Sequence, residues 1–546
     1  MEIHYTEPDG FKLRVEQREA VEKILNFYAA GKIAVIVVAP TGSGKSIIAK
    51  TVASAFSSSY LLTPTKILQD QYWNDFGSEE GVALLKGKSN YICGLHDETP
   101  VDKNWCQDNT SAAKRQKNIC RDEKVCPYYV SLDLAAESPC AIMNFKLFMI
   151  WMKIGTIFGK RALHVIDECH RIDDWVSDFL GISTKWNTLR HILKKFDAPI
   201  FKAPPKEDEK SVLEFLKALY DHNDRHVINL CSKFHAKNKT ELLYFCEEST
   251  RIKDEAKEHL WLDQRLFYMF ERLKKDPDAY GVGLTGKNKR DPKDTRDLEI
   301  IAKPVKVGGY VRTTVMGETS LFLSATLPDV NLWAKDMGLG SDEYGVVELD
   351  SIFPAKNRPI IFDTVGTIID ATKVGLYVPI AQKIDALAKK HSEHKGLIHV
   401  QSYDWSEQIA SRLNLETHNR LLIGVQNALK TESLLKLHSD SSLPTIMMSP
   451  AMKEGVDLKD GLCRFQIVVK CPLGALGDPR VAKKTKQNRE WYDFEAITSF
   501  MQQVGRGTRS PDDWCITYCL DKKMVELLRK SRKSLPKYFV DSLQDL

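Results

Sequence analysis

Short β-branched runs, each followed by a turn and a helical stretch, recur along this chain and restrict it to one kind of architecture. In the first half they are Ile33-Ala-Val-Ile-Val-Val38, Tyr60-Leu-Leu62, Ala162-Leu-His-Val-Ile166 and Leu321-Phe-Leu-Ser324. In the second half they are Gly396-Leu-Ile-His-Val400, Leu421-Leu-Ile-Gly-Val425, Thr445-Ile-Met-Met448, Phe465-Gln-Ile-Val-Val469 and Cys515-Ile-Thr-Tyr-Cys519. Near-continuous apolar strands alternating with helices form parallel sheets covered on both faces. Two sets predict two α/β domains. Between Ile172 and about Val311 the strand signal fades. Val212, Phe215, Leu216 and Leu219 follow helical spacing, as do Leu262, Leu266, Phe270 and Leu273. Charged loops at 203–210 and 286–293 punctuate this region, which reads as a helical insertion in the first α/β domain. The apolar stretch Ala141 to Phe158 contains Lys146 and Lys153 and reads as an amphipathic helix. A bilayer core would need about 20 largely apolar residues.

A length of 546 residues predicts roughly three to four domains. The net charge of +5 is too small to prove nucleic-acid binding, but a protein that grips nucleic acid in a groove needs only local basic surface. The opening Met1-Glu-Ile-His-Tyr-Thr-Glu-Pro is polar and acidic, unlike a secretion signal. The expectation is a cytoplasmic protein, or a nuclear one if the source is eukaryotic. In such compartments 12 cysteines are read as metal ligands or buried thiols, not disulfides.

Ala39-Pro-Thr-Gly-Ser-Gly-Lys-Ser46 has Walker A spacing, with a strand before it and a helical run after it. Backbone N–H groups of Thr41, Gly42, Ser43 and Gly44 can close around phosphates. Lys45 supplies a point charge, and Ser46 can ligate magnesium. Asp167-Glu168 ends an apolar strand, where the first carboxylate can hold Mg2+ and the second can polarise an attacking water. Gln502-Gln-Val-Gly-Arg-Gly-Thr-Arg509 brings Arg506 and Arg509, whose planar donors suit the charge of a phosphoryl-transfer transition state.

Between these ATP motifs lie Cys93, Cys106, Cys120 and Cys126, separated by 12, 13 and 5 residues. The spacing lacks the paired C-x2-C knuckles of most zinc ribbons. Four thiolates can hold a [4Fe–4S] cluster, and zinc is the alternative. Lys103, Lys114, Arg115 and Lys117 among them could meet phosphates or form a solvated loop. Cys140 reads as a core residue and His96 as a surface one.

The ordered motifs resemble those of superfamily 2 helicases, and within them the iron–sulfur XPD/DinG group, from about Phe11 to Asp521. Arg14-Val-Glu-Gln17 is similar to the adenine-reading element, Leu62-Thr-Pro-Thr65 with Gln69 and Gln71 to motif Ia, and Val400-Gln-Ser-Tyr403 to motif IV. Ser324-Ala-Thr326 resembles the motif that couples hydrolysis to movement, residues 449–457 resemble motif V, and Gln502 to Arg509 resemble motif VI. Cys126-Pro-Tyr-Tyr129 matches the run opened by the family's last cluster ligand. Two departures stand out. The box reads Asp-Glu-Cys-His rather than Asp-Glu-Ala-His, with Cys169 expected to pack like Ala. The chain is also short, so only about 140 residues are expected for the helical insertion, and no nuclease domain is expected before the first motif or after the last.

The resemblance implies two RecA-like parallel-sheet motor domains, the first with an iron–sulfur insertion and a helical arch-like insertion. The expected division is 1–90, 128–172 and 312–345 for the first motor domain, 91–127 for the cluster domain, 173–311 for the arch and 346–546 for the second motor domain. It implies an ATP- and Mg2+-dependent 5′→3′ DNA helicase acting on single-stranded and forked duplex DNA. Arg14 and Gln17 would read adenine, and Gly455, Asp457 and Gln502 would sense the nucleotide. His170, Ser324 and Thr326 would couple hydrolysis to motion. Thr65, Lys66 and Ser402 are strand-contact candidates, though polar residues there could simply cap helices. The alternatives are an RNA or RNA–DNA hybrid helicase, or an ATP-gated remodelling subunit of a complex.

Overall fold

A computed structural model of the protein describes residues 4–95, 99–104, 111–155, 157–194, 208–248, 250–286, 298–369, 372–424, 428–450, 458, 460–505, 507–508 and 512–544. The chain begins with β1 (Ala34–Val38), β2 (Ser59–Thr63), β3 (Val82–Leu85), β4 (Cys140–Asn144) and β5 (Leu163–Ile166). It then leaves this sheet for β6 (Ile182–Lys185), β7 (Tyr280–Thr285) and β8 (Glu299–Pro304), and returns with β9 (Thr319–Ser324) and β10 (Tyr344–Glu348). The first sheet is parallel throughout, in the order β10-β1-β9-β5-β2-β4-β3. The second motor domain contributes β11 (Ile360–Gly366), β12 (Gly396–His399), β13 (Leu421–Ile423), β14 (Ile446–Met448), β15 (Phe465–Val468), β16 (Ile516–Asp521) and β17 (Leu543–Gln544). They form a parallel sheet ordered β13-β14-β12-β15-β16-β11-β17. These are the two expected RecA-like domains.

All five residues of β1 are fully buried, as a strand covered on both faces requires. All nine runs singled out in the sequence are strands. The unforeseen ones include β3, β10 and β17, which lie at sheet edges, and β11 beside β17. Alternating burial along β10 leaves no continuous apolar run to detect. Its pairing with β1 carries the first sheet to Glu348, past the division expected at 345. The stretch read as one helix from Ala141 to Phe158 is instead β4 followed by the helix Phe145–Ile154. Asn144 marks the break, its side chain accepting the Leu147 N–H at 2.9 Å.

The insertion is built on the helices Glu209–Lys233 and Thr250–Lys275. Val212, Leu216 and Leu219 meet Leu262 and Leu266 in its core, as their spacing predicts. It also carries an antiparallel sheet, β6-β8-β7, which the sequence reading lacked. Gly281 and Gly283 in β7 weaken the strand signal, and their use is steric. A Cβ on Gly281 would lie 2.3 Å from Arg480 Cα, and one on Gly283 would lie 2.7 Å from Pro479 Cγ. The helix Pro479–Gln487 of the second motor domain thereby seats directly on the insertion. Among the described residues, no helix is long and apolar enough to cross a membrane.

That helix carries a buried ion cluster. Arg480 and Lys484, 4% and 2% exposed, both reach Asp173 Oδ2, at 2.5 and 2.8 Å. Lys484 Nζ also bonds Asp336 at 2.7 Å, and Arg480 Nε donates to the Pro304 carbonyl at 2.9 Å. Burial alone would raise the Asp173 carboxyl, but the Arg480 and Lys484 charges outweigh it and hold it below its ordinary value. Lys484→Met would leave the Asp336 carboxylate buried without its cation. It is expected to destabilise the protein by about 3–5 kcal/mol, read as a lower urea midpoint. Because the folded pKa of Asp173 lies below the unfolded one, its contribution is complete above about pH 4 and is lost as the pH falls below that. Asp336, which burial already raises and which loses its cation in the variant, takes up a proton at higher pH there, so the gap between wild type and variant should narrow as the pH falls toward about 4.

Candidate ATP site and thiol cluster

Strand order brings the ATP motifs together. β1, β9 and β5 are adjacent and parallel, so their carboxyl ends deliver the Walker loop, Ser324 and Asp167 to one edge. The loop turns through left-handed backbone at Gly42 (φ 81°) and Gly44 (φ 82°), then enters the helix Lys45–Ser54. Its open N-terminus is a site for an anion. A Cβ on Gly44 would lie 2.1 Å from Gln17 Nε2.

Arg14 and Gln17 brace this loop from behind. Arg14 Nη2 donates to the carbonyls of Ser43 at 2.8 Å and Gly42 at 3.2 Å, and Gln17 Nε2 donates to Ser43 at 2.8 Å. Lys45 Nζ donates to the Ala39 carbonyl at 3.3 Å. A cavity of about 70 Å3 separates Pro40, Thr41 and Thr326 from Arg358, Gly505 and Tyr538 of the second domain.

Asp167 is buried, and its Oδ2 accepts the Tyr72 hydroxyl at 3.1 Å. Burial, then the neighbouring Glu168 charge, pushes the Asp167 carboxyl up to about 6 against the pull of Lys45. Glu168 itself holds left-handed backbone at φ 52°, a conformation uncommon outside glycine. His170 Nδ1 lies 2.9 Å from Ser324 Oγ, 3.4 Å from Thr326 Oγ1 and 3.4 Å from Glu168 Oε2. On the ring's other side the Gln502 amide, from the second domain, bonds Nε2. Ser324, Thr326, His170 and Gln502 thus form one chain of contacts across the domain interface. Cys169 is fully buried, as a residue packing in place of Ala would be.

Arg506, Arg509, Gly455 and Asp457 lie outside the described residues, as do Cys106 and His96. Thr65 and Ser402 act as helix N-caps, accepting the Leu68 N–H at 3.2 Å and the Trp405 N–H at 3.3 Å. Lys66 Nζ donates to Asn90 Oδ1 at 2.7 Å. The motif reading missed Tyr72, Arg358, Tyr538 and the ion cluster. Tyr72 was the most accessible of these, since Gln69, Tyr72 and Phe76 share the buried face of the helix Lys66–Phe76.

Cys93, Cys120 and Cys126 line one small cavity with Lys117 and Tyr129. Backbone geometry draws them together. The Cys126 N–H donates to the Cys120 carbonyl at 3.1 Å, and a Cβ on Gly94 would lie 2.3 Å from the Val125 carbonyl oxygen. Burial pushes the Cys126 thiol up, the Tyr129 and Tyr128 backbone N–H groups draw it down, and nearby Cys120 and Cys93 raise it again. Gln116 Nε2 donates to Cys120 Sγ at 3.2 Å. Among the described residues, no group of three His, Cys, Asp or Glu side chains is arranged to hold a metal ion. The donor chemistry nevertheless fits one, because three cysteine sulfurs that line one cavity are ligands of the kind soft metal centres take.

Residues 10–201 match a family model described as type III restriction enzyme, res subunit, and residues 385–542 match one described as helicase C-terminal domain. No curated protein matches the sequence. Among solved structures, the chain is similar to one titled XPD helicase, at 17% identity and a TM-score of 0.62, covering 96% of this chain and 98% of the other. An apo XPD structure covers 94% and 98% at 14% identity and a TM-score of 0.57. Xpd4 of S. tokodaii covers 97% and 99% at 13% and 0.55. At these identities the likeness shows the fold. With the match to a helicase C-terminal domain, it supports a two-domain helicase architecture. Its helicase domains imply an ATP-dependent hydrolase.

The loop geometry gives a direct test. Gly44→Ala forces a side chain into left-handed backbone and into Gln17. Affinity for an ATP analogue, measured by calorimetry, is expected to fall roughly tenfold or more while the circular dichroism spectrum is unchanged.

Proposed function

We propose that this protein is a DNA helicase that moves 5′→3′ along single-stranded DNA and opens forked duplexes in the cytoplasm, or in the nucleus of a eukaryote. The observation that carries the reading is the interdomain contact chain, in which Gln502 of one motor domain and Ser324 of the other grip His170 beside Asp167 and Glu168. ATP bound between the domains would meet Lys45 at its phosphates. Ser46 and Asp167 would hold Mg2+, and Arg506 and Arg509 would approach the transferring phosphoryl group from the second domain. Glu168 would orient the attacking water. Its contact with His170 then makes the hydrolysis state felt by Ser324 and Gln502. Gly455 and Asp457 would report nucleotide occupancy from motif V. Single-stranded DNA would cross both motor domains near Thr65, Lys66 and Ser402. The division into two motor domains, a cluster domain and an arch is part of the same reading.

Cys93, Cys106, Cys120 and Cys126 are the residues that would hold a [4Fe–4S] cluster, or zinc. The bound centre would serve as a structural cross-link. The 34 residues from Cys93 to Cys126 are too few and too polar to build their own core. A cross-linked segment could act as a wedge where strands part.

Lys45→Ala is expected to lose ATP turnover. Wild-type turnover is expected to rise with single-stranded DNA more than with RNA. Absence of stimulation by any nucleic acid would overturn the helicase reading, and a preference for RNA would reassign the substrate. Cys120→Ser should abolish strand displacement while much of the ATPase remains, with iron content separating a cluster from zinc.

A further inference from the structure

A cavity of about 510 Å3 opens where the first motor domain meets the insertion. None of the three motif-derived contact candidates lines it, although Pro64, beside Thr65, does. Phe145, Trp175, Phe179 and Trp261 give it aromatic walls, and Lys146 and Arg265 give it charge. Asp178 is the one acidic residue lining it among those described, and its carboxylate is engaged by Lys303 Nζ at 2.7 Å.

Arg265 is the telling side chain. Its guanidinium lies 4.3 Å from the Trp261 ring centroid and 5.8 Å from that of Phe179. Lys153 Nζ approaches the same Phe179 ring at 5.6 Å, so two cations meet one ring. Arg265 Nε is buried and, among the described residues, has no hydrogen-bond partner. Burial lowers its pKa to about 10. Asp178 partly offsets this burial, but a buried guanidinium N–H without an acceptor is costly, and an anionic oxygen would satisfy it. Aromatic faces beside such a cation are suited to stacking a base, whatever its identity. The volume is within the range of small-molecule sites.

We propose that this cavity takes one nucleotide of a single nucleic-acid strand, its base against the tryptophan-lined wall and its phosphate at Arg265 and Lys146. The proposal rests on the helicase reading. It adds a strand contact supplied jointly by the insertion and by the helix Ile172–Leu180, which directly follows His170.

The test uses the full chain and a fluorescent mixed-sequence DNA oligonucleotide, with anisotropy titrations across a salt series. Trp261→Leu is expected to weaken binding about tenfold, the loss of one stacked base. Arg265→Met is expected to weaken it and to lower the salt slope by about one. Lys146→Gln changes an exposed side chain and keeps the test open if Arg265→Met fails to fold. It should also lower the slope. Wild-type affinity and slope in Trp261→Leu and Lys146→Gln would overturn the proposal. So would competition by dAMP as effective as that by unlabelled oligonucleotide, which would make this a site for free nucleotide. If wild-type ATPase responds to DNA while the variants bind normally, only the cavity assignment fails. If wild type responds to no nucleic acid, the helicase reading fails first.

Discussion

The carboxylate of Asp173 is the point on which the relation of the two motor domains depends. It is buried, and on its own it could not remain ionised there. Arg480 and Lys484 satisfy it, and both come from the other domain. Lys484 needs a second carboxylate, Asp336, and lies 4.5 Å from the Trp491 ring centroid, which covers its charge from the other side. None of these groups can be withdrawn alone without leaving a bare charge in a dry site. Domain motion must either carry the cluster intact as a hinge point or open it to water. Its value lies in fixing register more than in net stability, since well-packed apolar residues could have joined the domains at no greater cost.

Asp173 and Trp175 sit on the same nine-residue helix, Ile172–Leu180. Two residues at about 100° each put them about 200° apart, on nearly opposite faces. One face meets the second domain through the ion cluster, and the other lines the aromatic cavity toward the insertion. The Asp167-Glu-Cys-His170 segment joins the helix at its N-terminal end, where His170 is held by Ser324 and Gln502. A small rotation of this helix on ATP hydrolysis would be felt in both directions at once. A short rigid element is well suited to this, because packed interfaces tend to be bistable rather than continuously deformable.

The central strands were legible because full burial on both faces leaves nothing but apolar side chains, as in Val35 to Val38. Edge strands such as β10 were not, because half-exposure replaces that run with alternation. β4 was hidden differently, since its apolar run continues into the next helix and only the Asn144 cap separates them. The turn after β1 was legible in Gly42 and Gly44, whose left-handed backbone favours glycine. The ion cluster was not, because it joins residues more than 300 positions apart in sequence and each, read alone, is an ordinary surface charge. The cavity was missed for the same reason, its aromatic residues Phe145, Trp175, Phe179 and Trp261 being spread over separate elements.

The thiol segment differs from the rest in what holds it. Apart from Val101, Cys120 and Cys126, little of its described part reaches the first domain's core. Instead, Lys88 lies 5.3 Å from the Tyr128 ring centroid, while Lys117 and Arg121 lie 5.7 and 5.6 Å from that of Tyr129. Lys117 and Tyr129 also line the cavity of Cys93, Cys120 and Cys126, and Arg121 is paired with Asp133 at 2.6 Å. A four-thiolate metal centre, as proposed, would cross-link the backbone of this segment at four points. Loss of one ligand would then leave a small segment, with no core of its own, little else to hold its shape.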